Sequence, residues 1–211
     1  MSKVFDKSSI PPSLRERQRS EREESILTVA LAMMGESGYA AMTMDDLAAG
    51  ANISKPTLYT YFASKEEVAV RAVVRTLEHG GEFVDSLSAD LPAWDRIEAA
   101  LRYMFEGKFV HRLTHFCTVR DALGPTIRAH PEYRNEYERL LGRLIVLFDE
   151  AKRDGTFKPE LETRIAVQTM FSFLRDTEYI DLIERGESGA NGVVDTLITI
   201  LLDGFRVKET R

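Results

Sequence analysis

The sequence predicts an all-α protein, on three observations. Apolar residues recur at helical spacing along nearly the whole chain, period-two runs of β-branched residues are rare, and capped helix starts follow one another at short intervals. The stripe Ile26, Leu27, Ala30, Leu31 and Met34 predicts a first helix over about residues 19–37, ended by a left-handed cap at Gly38. Thr43 then caps a short second helix, with Asp46 three residues on and Met42 placed to staple onto Leu47. The turn Gly50-Ala51-Asn52-Ile53 follows, Asn52 being a residue that tolerates the left-handed conformation of a tight corner. Ser54 caps a third helix, whose first turn holds Pro56 where no amide donor is needed. Ser64-Lys65-Glu66-Glu67 opens a fourth, with Ala63 and Val68 as its staple. Two short helices joined by a tight turn and preceded by a third form the helix-turn-helix pattern.

The remaining chain reads as longer helices. The fourth runs to at least His79, with Gly80-Gly81 as a point of fraying or kinking, and Pro92 both ends any continuation and opens a helix to about residue 112. A shorter piece to Leu123 is closed by Gly124-Pro125. Pro131 opens a long helix carrying Tyr133, Tyr137, Leu140, Leu141, Leu144, Ile145 and Phe148, closed by Gly155, and two more span about residues 160–185 and 192–207. The domains expected are a basic arm over 1–18, a helix-turn-helix domain over 19–80 that includes the connecting fourth helix, and a helical domain over 81–211.

Composition bounds the function. With 211 residues, 44% hydrophobic and 29% charged, the chain is globular and long enough for one or two domains. Cys117 alone excludes an intrachain disulfide framework and a cysteine-based zinc site, and fits a reducing compartment. The longest apolar run, Leu144 to Phe148, is too short for a membrane span, and the charged first twenty residues hold no apolar block of a secretory leader, so a cytoplasmic location is expected. Lys and Arg number 28 against 34 Asp and Glu, a net charge of −6. Basic excess is confined to two windows, Met1 to Arg22 and Ile53 to Lys65. An acidic protein can meet a polyanion through such windows if its acidic face points away.

The stretch from Thr43 to Glu67, with Ile26 to Tyr39 ahead of it, resembles the DNA-binding domain of TetR-family transcriptional regulators, above all in Leu58-Tyr59-Thr60-Tyr61-Phe62-Ala63-Ser64-Lys65. Asn52 stands where the family usually has Gly in the turn, and Pro56 where Gly is common in the recognition helix. The chemistry of the residues agrees with the resemblance. Ser54, Lys55 and Thr57 occupy the first turn of a recognition helix, Lys55 and Thr57 being the candidates for base edges and Pro56 for a thymine methyl. Thr43, Tyr59, Thr60, Tyr61 and Lys65 are placed for phosphates. Lys7, Arg15, Arg17 and Arg19 of the arm add phosphate or minor-groove contacts. The bland alternative is that the tyrosines pack and the lysines merely solvate, but Leu58 and Phe62 already fill the core-facing positions.

In the C-terminal domain, the last two helices carry more apolar residues than one face holds: Ile165, Val167, Met170, Phe171, Phe173, Leu174, Tyr179, Ile180, Leu182 and Ile183, then Val193, Val194, Leu197, Ile198, Ile200, Leu201, Leu202 and Phe205. This predicts a two-fold four-helix seam, which the resemblance also implies, against the alternative of one thicker monomeric core. Two-fold symmetry predicts a near-palindromic operator in double-stranded DNA. The resemblance further implies a small-molecule effector in this domain. Met104, Phe105, Phe109, Phe116, Tyr137, Met170 and Phe171 are candidates to line its cavity, although a stripe of such residues at helical spacing is more often plain core. His111 and His115 at i, i+4, near Cys117 and Arg120, make a poor metal site without a carboxylate, and no cofactor or metal is expected. Arg120 with Asp121, and Arg175 with Asp176, read as ion pairs or polar pocket groups. No Glu-x-x-His pair, phosphate loop or nucleophile elbow supports an enzyme. The expected function is a homodimeric repressor released by an effector; the alternative is an effector-independent architectural or nucleoid-associated DNA-binding protein.

Overall fold

Ser13 caps a first helix that begins at Leu14, about five residues before the start the apolar stripe suggests. Its hydroxyl accepts the Glu16 amide at 3.3 Å while the Glu16 carboxylate accepts the Ser13 amide at 2.7 Å, a reciprocal capping box. The computed structural model describes residues 13–111, 123–176 and 178–207, and among these residues every named element is an α-helix. Helix α1 spans Leu14–Ala41, interrupted at Gly38, whose φ of 79° and ψ of 159° only glycine adopts without strain. Only its second half is buried, through Ile26, Leu27, Ala30, Leu31 and Met34. Arg15, Arg17 and Arg19 therefore belong to a helix, not to an arm; Lys7 lies outside the described residues.

Helices α2 (Met44–Gly50) and α3 (Lys55–Tyr59) follow, then α4 (Lys65–Ser86), capped by the Ser64 hydroxyl on the Glu67 amide at 3.1 Å. Gly80-Gly81 neither frays nor kinks α4. Both glycines are buried, and a Cβ would stand 3.3 Å from Leu140 Cδ2 at position 80 and 3.1 Å from Arg143 Nη1 at position 81. The pair exists for close approach of α4 to α7 (Pro131–Arg153), the helix it packs against most extensively. An expected domain boundary at residue 80 thus falls inside α4, and the buried side chains form one contiguous cluster through both halves.

Helix α5 (Ala93–Phe109) starts after Pro92, as its ring favours, and α6 (Leu123–Ala129) contains Gly124 and Pro125 in its first turn. The Gly-Pro pair opens a helix instead of closing one, because proline's missing amide is harmless there. Helix α7 ends at Arg153, and Gly155, φ 82°, turns the chain just beyond its cap residue Asp154. The helix expected over 160–185 is two, α8 (Thr163–Arg175) and α9 (Glu178–Glu184), parted where Asp176 is extended. The Asp176 carboxylate accepts the Glu178 amide at 2.8 Å, and Arg175 donates to Ser172 at 3.1 Å, so Arg175 and Asp176 serve separate local bonds. Helix α10 (Ala190–Phe205) packs on α5, and α8 packs on α7 and α5. Val193, Val194, Leu197, Ile198, Leu201 and Leu202 are buried within the protomer. The outward apolar face of α8 and α10 is thus narrower than the sequence suggests, with Ile165 and Ile200 left 58% and 57% exposed. Among the described residues no helix is long and apolar enough to cross a membrane.

Candidate DNA-binding surface

The corner between α2 and α3 is fixed by hydrogen bonds between near neighbours. Thr43 Oγ1 accepts the Asp46 amide at 3.1 Å and donates to the Asp46 carboxylate at 2.6 Å, closing the start of α2. The Ala51 amide donates to Leu47 O at 2.9 Å and the Ile53 amide to Ala48 O at 3.0 Å, with Asn52 between them at φ 53°. Ser54 Oγ then accepts the Thr57 amide at 3.2 Å and shares a 2.7 Å hydrogen bond with the Thr57 hydroxyl. Leu47, Ala48, Ala51, Leu58 and Phe62 seal the inner face. Gly50 has a reason the sequence pattern did not expose: a Cβ there would lie 2.7 Å from Val29 Cγ1, so α1 can reach α2 only across a glycine.

This inner packing leaves Thr43, Ser54, Lys55, Pro56, Thr57, Tyr59 and Thr60 exposed together, with Tyr61 half-buried beside them. Six of these eight carry a hydroxyl, and Lys55 adds an ammonium. Lys55 Nζ is held by Asp45 at 2.7 Å across the corner, and that hydrogen bond, with the charge behind it, raises the ammonium above its ordinary value. In the free protein Lys55 is thus kept cationic and aimed by a partner that a base or phosphate acceptor can replace. Thr60 Oγ1 donates back to Thr57 O at 2.7 Å.

Lys65 departs from its expected phosphate role. Its ammonium donates to Met42 O at 2.7 Å and Ala40 O at 3.2 Å, and lies 4.3 Å from the centre of the Tyr39 ring. These bonds join the start of α4 to the end of α1, satisfying carbonyls left open where α1 ends at Ala41. Its position inside the helical start left no hint of this in the sequence.

A flank that the sequence reading assigned only in part comes from α1. An open groove between Tyr61 and the exposed half of α1 is lined by Arg15, Gln18, Arg19, Glu21, Arg22 and Ser25. The Arg19 guanidinium sits 5.0 Å from the Tyr61 ring centre and donates to Thr60 O at 3.5 Å, tying α1 to the end of α3. Arg15, Arg19 and Arg22 share one helical face at i, i+4 and i+7. Ser13 followed by Glu16 was the signal that would have found it, since an earlier helix start puts these three side by side. Arg17 is exposed but does not line the groove.

The expected cavity residues are dispersed. Phe105, Met170 and Phe171 are core; Phe109 packs edge-on against Phe105 and Tyr179, and Tyr137 against Phe171. Phe116, His115, Cys117, Arg120 and Asp121 lie outside the described residues. Met104 lines a cavity of about 280 Å³ between α1, α4 and α5, and Tyr137 lines a separate, more open pocket with Arg134 and Arg175. The residue overlooked is Lys108, 2% exposed in the cavity wall. It falls in the apolar stripe Leu101, Met104, Phe105, Lys108, where a charge is out of place, and that was its signal. Its ammonium donates to Leu174 O and Asp176 O, pinning the corner between α8 and α9. Burial pulls it down to about 8, partly opposed by the Asp176 carboxylate. His111, beside the cavity, is exposed.

Residues 26–72 match the family model described as bacterial regulatory proteins, tetR family. The chain is similar to the HTH-type transcriptional regulator EthR of Mycolicibacterium smegmatis, 26% identical over 190 residues, covering 88% of this chain and 86% of that one. It is 26% identical to the HTH-type transcriptional repressor KstR2 of Mycobacterium tuberculosis over 174 residues, 78% of this chain and 82% of that one. Among solved structures, the fatty acid degradation regulator FadR from Bacillus halodurans superposes with a TM-score of 0.71 at 21% identity, over 87% of this chain and 95% of that one. FadR from Bacillus subtilis in complex with stearoyl-CoA superposes with a TM-score of 0.65 at 18% identity, over 86% of this chain and 98% of that one.

Proposed function

The chain belongs to the tetR family of bacterial regulatory proteins, and on that premise we propose that it is a sequence-specific repressor acting in the cytoplasm. It works as a homodimer whose DNA affinity a small effector lowers. The observation that carries the reading is the row of Ser54, Lys55, Pro56, Thr57 and Tyr59, exposed on a helix whose own core contacts are made by Leu58 alone. Hydroxyls and one cation at the start of a helix suit base edges, while Thr43, Tyr59, Tyr61 and the α1 arginines suit phosphates on either side. Repression is supported by the name of the KstR2 relative, and an effector by the stearoyl-CoA held in the Bacillus subtilis neighbour.

Dimerisation is supported by α8 and α10, each packed inward on the protomer with an exposed isoleucine outward. A two-fold pairing of these helices sets two α3 helices about one DNA turn apart or a multiple of it, so the operator is near-palindromic. Release follows as a shift of population. An effector that prefers the non-binding spacing draws the dimer to it through α4, which runs unbroken from the helix-turn-helix into the bundle. The family is one of regulators, and no catalytic role is assigned.

The test is selection of bound sites from random duplex DNA at stated salt, with the mass of the complex measured by sedimentation. The expected result is a two-fold-symmetric motif bound by an even number of protomers. A folded dimer that enriches no motif would replace the repressor with an architectural DNA-binding protein.

A further inference from the structure

Three helices meet around the 280 Å³ cavity, and each brings something different. From α1 come Leu27 and Leu31, buried apolar side chains on the same helix that carries the arginine flank of the DNA surface. From α5 come Met104 and Lys108. From α4 come Arg75 and His79, which hold Glu24 of α1 at 2.8 and 3.3 Å across the rim. The volume stands at the low end of the roughly 300–1,000 Å³ of small-molecule sites, which excludes a long chain with a bulky carrier.

By area the wall is mainly apolar, and Lys108 is its one buried charged side chain, with Glu24, Arg75, His79 and Glu106 also in the lining. Two of the three Lys108 N–H groups go to the Leu174 and Asp176 carbonyls, and among the described residues no carboxylate oxygen lies within ion-pairing distance of it. A buried ammonium whose counter-charge, Asp176, acts from beyond ion-pairing distance is costly, and an anion that enters beside it gains a charge-assisted hydrogen bond. The rim carboxylates are engaged elsewhere: Glu24 meets Arg75 at 2.8 Å and His79 at 3.3 Å, and Glu106 lies 3.6 Å from Arg102, while the Asp176 carboxylate acts on Lys108 from farther off.

We propose that this cavity is the effector site, and that its ligand is a compact apolar carboxylic acid bound as the carboxylate on Lys108. The inference rests on the regulator reading above. The acid's body lies against Leu27, Leu31 and Met104, so filling the cavity moves α1 relative to α4 and α5. Because α1 is continuous from Leu14 to the break at Gly38, that motion carries Arg15, Arg19 and Arg22 with it and loosens the hold of Arg19 on Tyr61 and Thr60.

The experiment uses the full chain with benzoate, phenylacetate and hexanoate, each beside its primary amide of matched shape. Calorimetry reads binding, and fluorescence anisotropy on the selected duplex reads release. At least one acid is expected to bind and weaken DNA binding, with its amide about tenfold to a hundredfold weaker, the range of a lost charge-assisted bond. Lys108→Met abolishes the preference for acid over amide. Should that variant fold poorly, Thr28→Trp fills the mouth from an exposed position of α1, and is expected to block the acids while leaving the helical content and thermal unfolding of the protein unchanged. Equal affinity for acid and amide, failure of all three acids to bind, or acid binding that survives Thr28→Trp overturns the inference. If wild type binds the duplex but ignores the acids, the site is wrong and the regulator stands. If it binds no duplex, the regulator reading fails, and calorimetry alone still decides the acid site.

Discussion

The helix-turn-helix and the helical bundle treat their polar groups in opposite ways. In the first, Thr43, Ser54 and Thr60 each find partners three residues away, leaving a surface of hydroxyls outward and Leu47, Leu58 and Phe62 inward. In the bundle and its junction with α1, Lys108 reaches carbonyls 66 and 68 residues distant, Arg75 reaches Glu24 across 51 residues, and Arg96 reaches Glu150 across 54. Local bonds make a unit whose shape does not depend on the rest of the chain, as a DNA reader needs. Long-range bonds make a body whose helices register one another's positions, as a device that converts occupancy into movement needs.

The largest expected effect sharpens this contrast through proton linkage. Lys108 titrates at about 8 when folded, against its ordinary 10.5. Between those values the unfolded chain binds more protons than the folded one, so folding stability rises with pH across the window. Below pH 8 the whole cost of the buried charge applies, on the order of 3 kcal/mol. Denaturant unfolding from pH 7.5 to 10.5 is expected to show that rise in wild type and lose it in Lys108→Met. Equal pH slopes would remove the buried charge from the bundle.

Gly50→Ala comes next. The new methyl meets Val29 at 2.7 Å, and relieving it by shifting α1 or α2 costs about 1–3 kcal/mol of stability. Chemical denaturation checks this, and a neutral result would mean that α1 and α2 are less firmly docked than the helix-turn-helix account requires. Lys65→Met is expected to lower stability by about 2 kcal/mol, from two lost charge-assisted bonds to carbonyls, while leaving the salt dependence of DNA binding unchanged. A reduced salt slope with stability intact would return Lys65 to the phosphates. The smallest effect is Arg22→Gln, which reduces that slope by about 1 without altering base preference.

Legibility in the sequence divided along the same line. Thr43, Ser54 and Ser64 announce their caps because each accepts an amide three residues on, Asn52 and Pro56 announce the corner through their own backbones, and all five stand where the sequence placed them. The exposed row of α3 followed from the same local logic. Lys65 escaped because its carbonyl partners lie 23 and 25 residues back. Gly80-Gly81 looked like a weak point of a helix, since nothing local says that α7 will press on it. Phe105, Phe109 and Phe171, proposed for a cavity, are core, because aromatic type does not reveal which gap between helices stays open. Lys108 was visible as a charge in an apolar stripe, yet only the fold sets it between the α8–α9 corner and the cavity.

The most direct test of the central claim, that the first turn of α3 reads bases while its surroundings hold the backbone, is parallel site selection with wild type and the Lys55→Ala, Thr57→Ala double variant. The account predicts a sharp two-fold motif for wild type. For the variant it predicts a flattened motif at the matching positions, with the dimer intact and the salt slope reduced by no more than about 1. An unchanged motif in the double variant, bound with equal selectivity, would contradict it and move base recognition off α3.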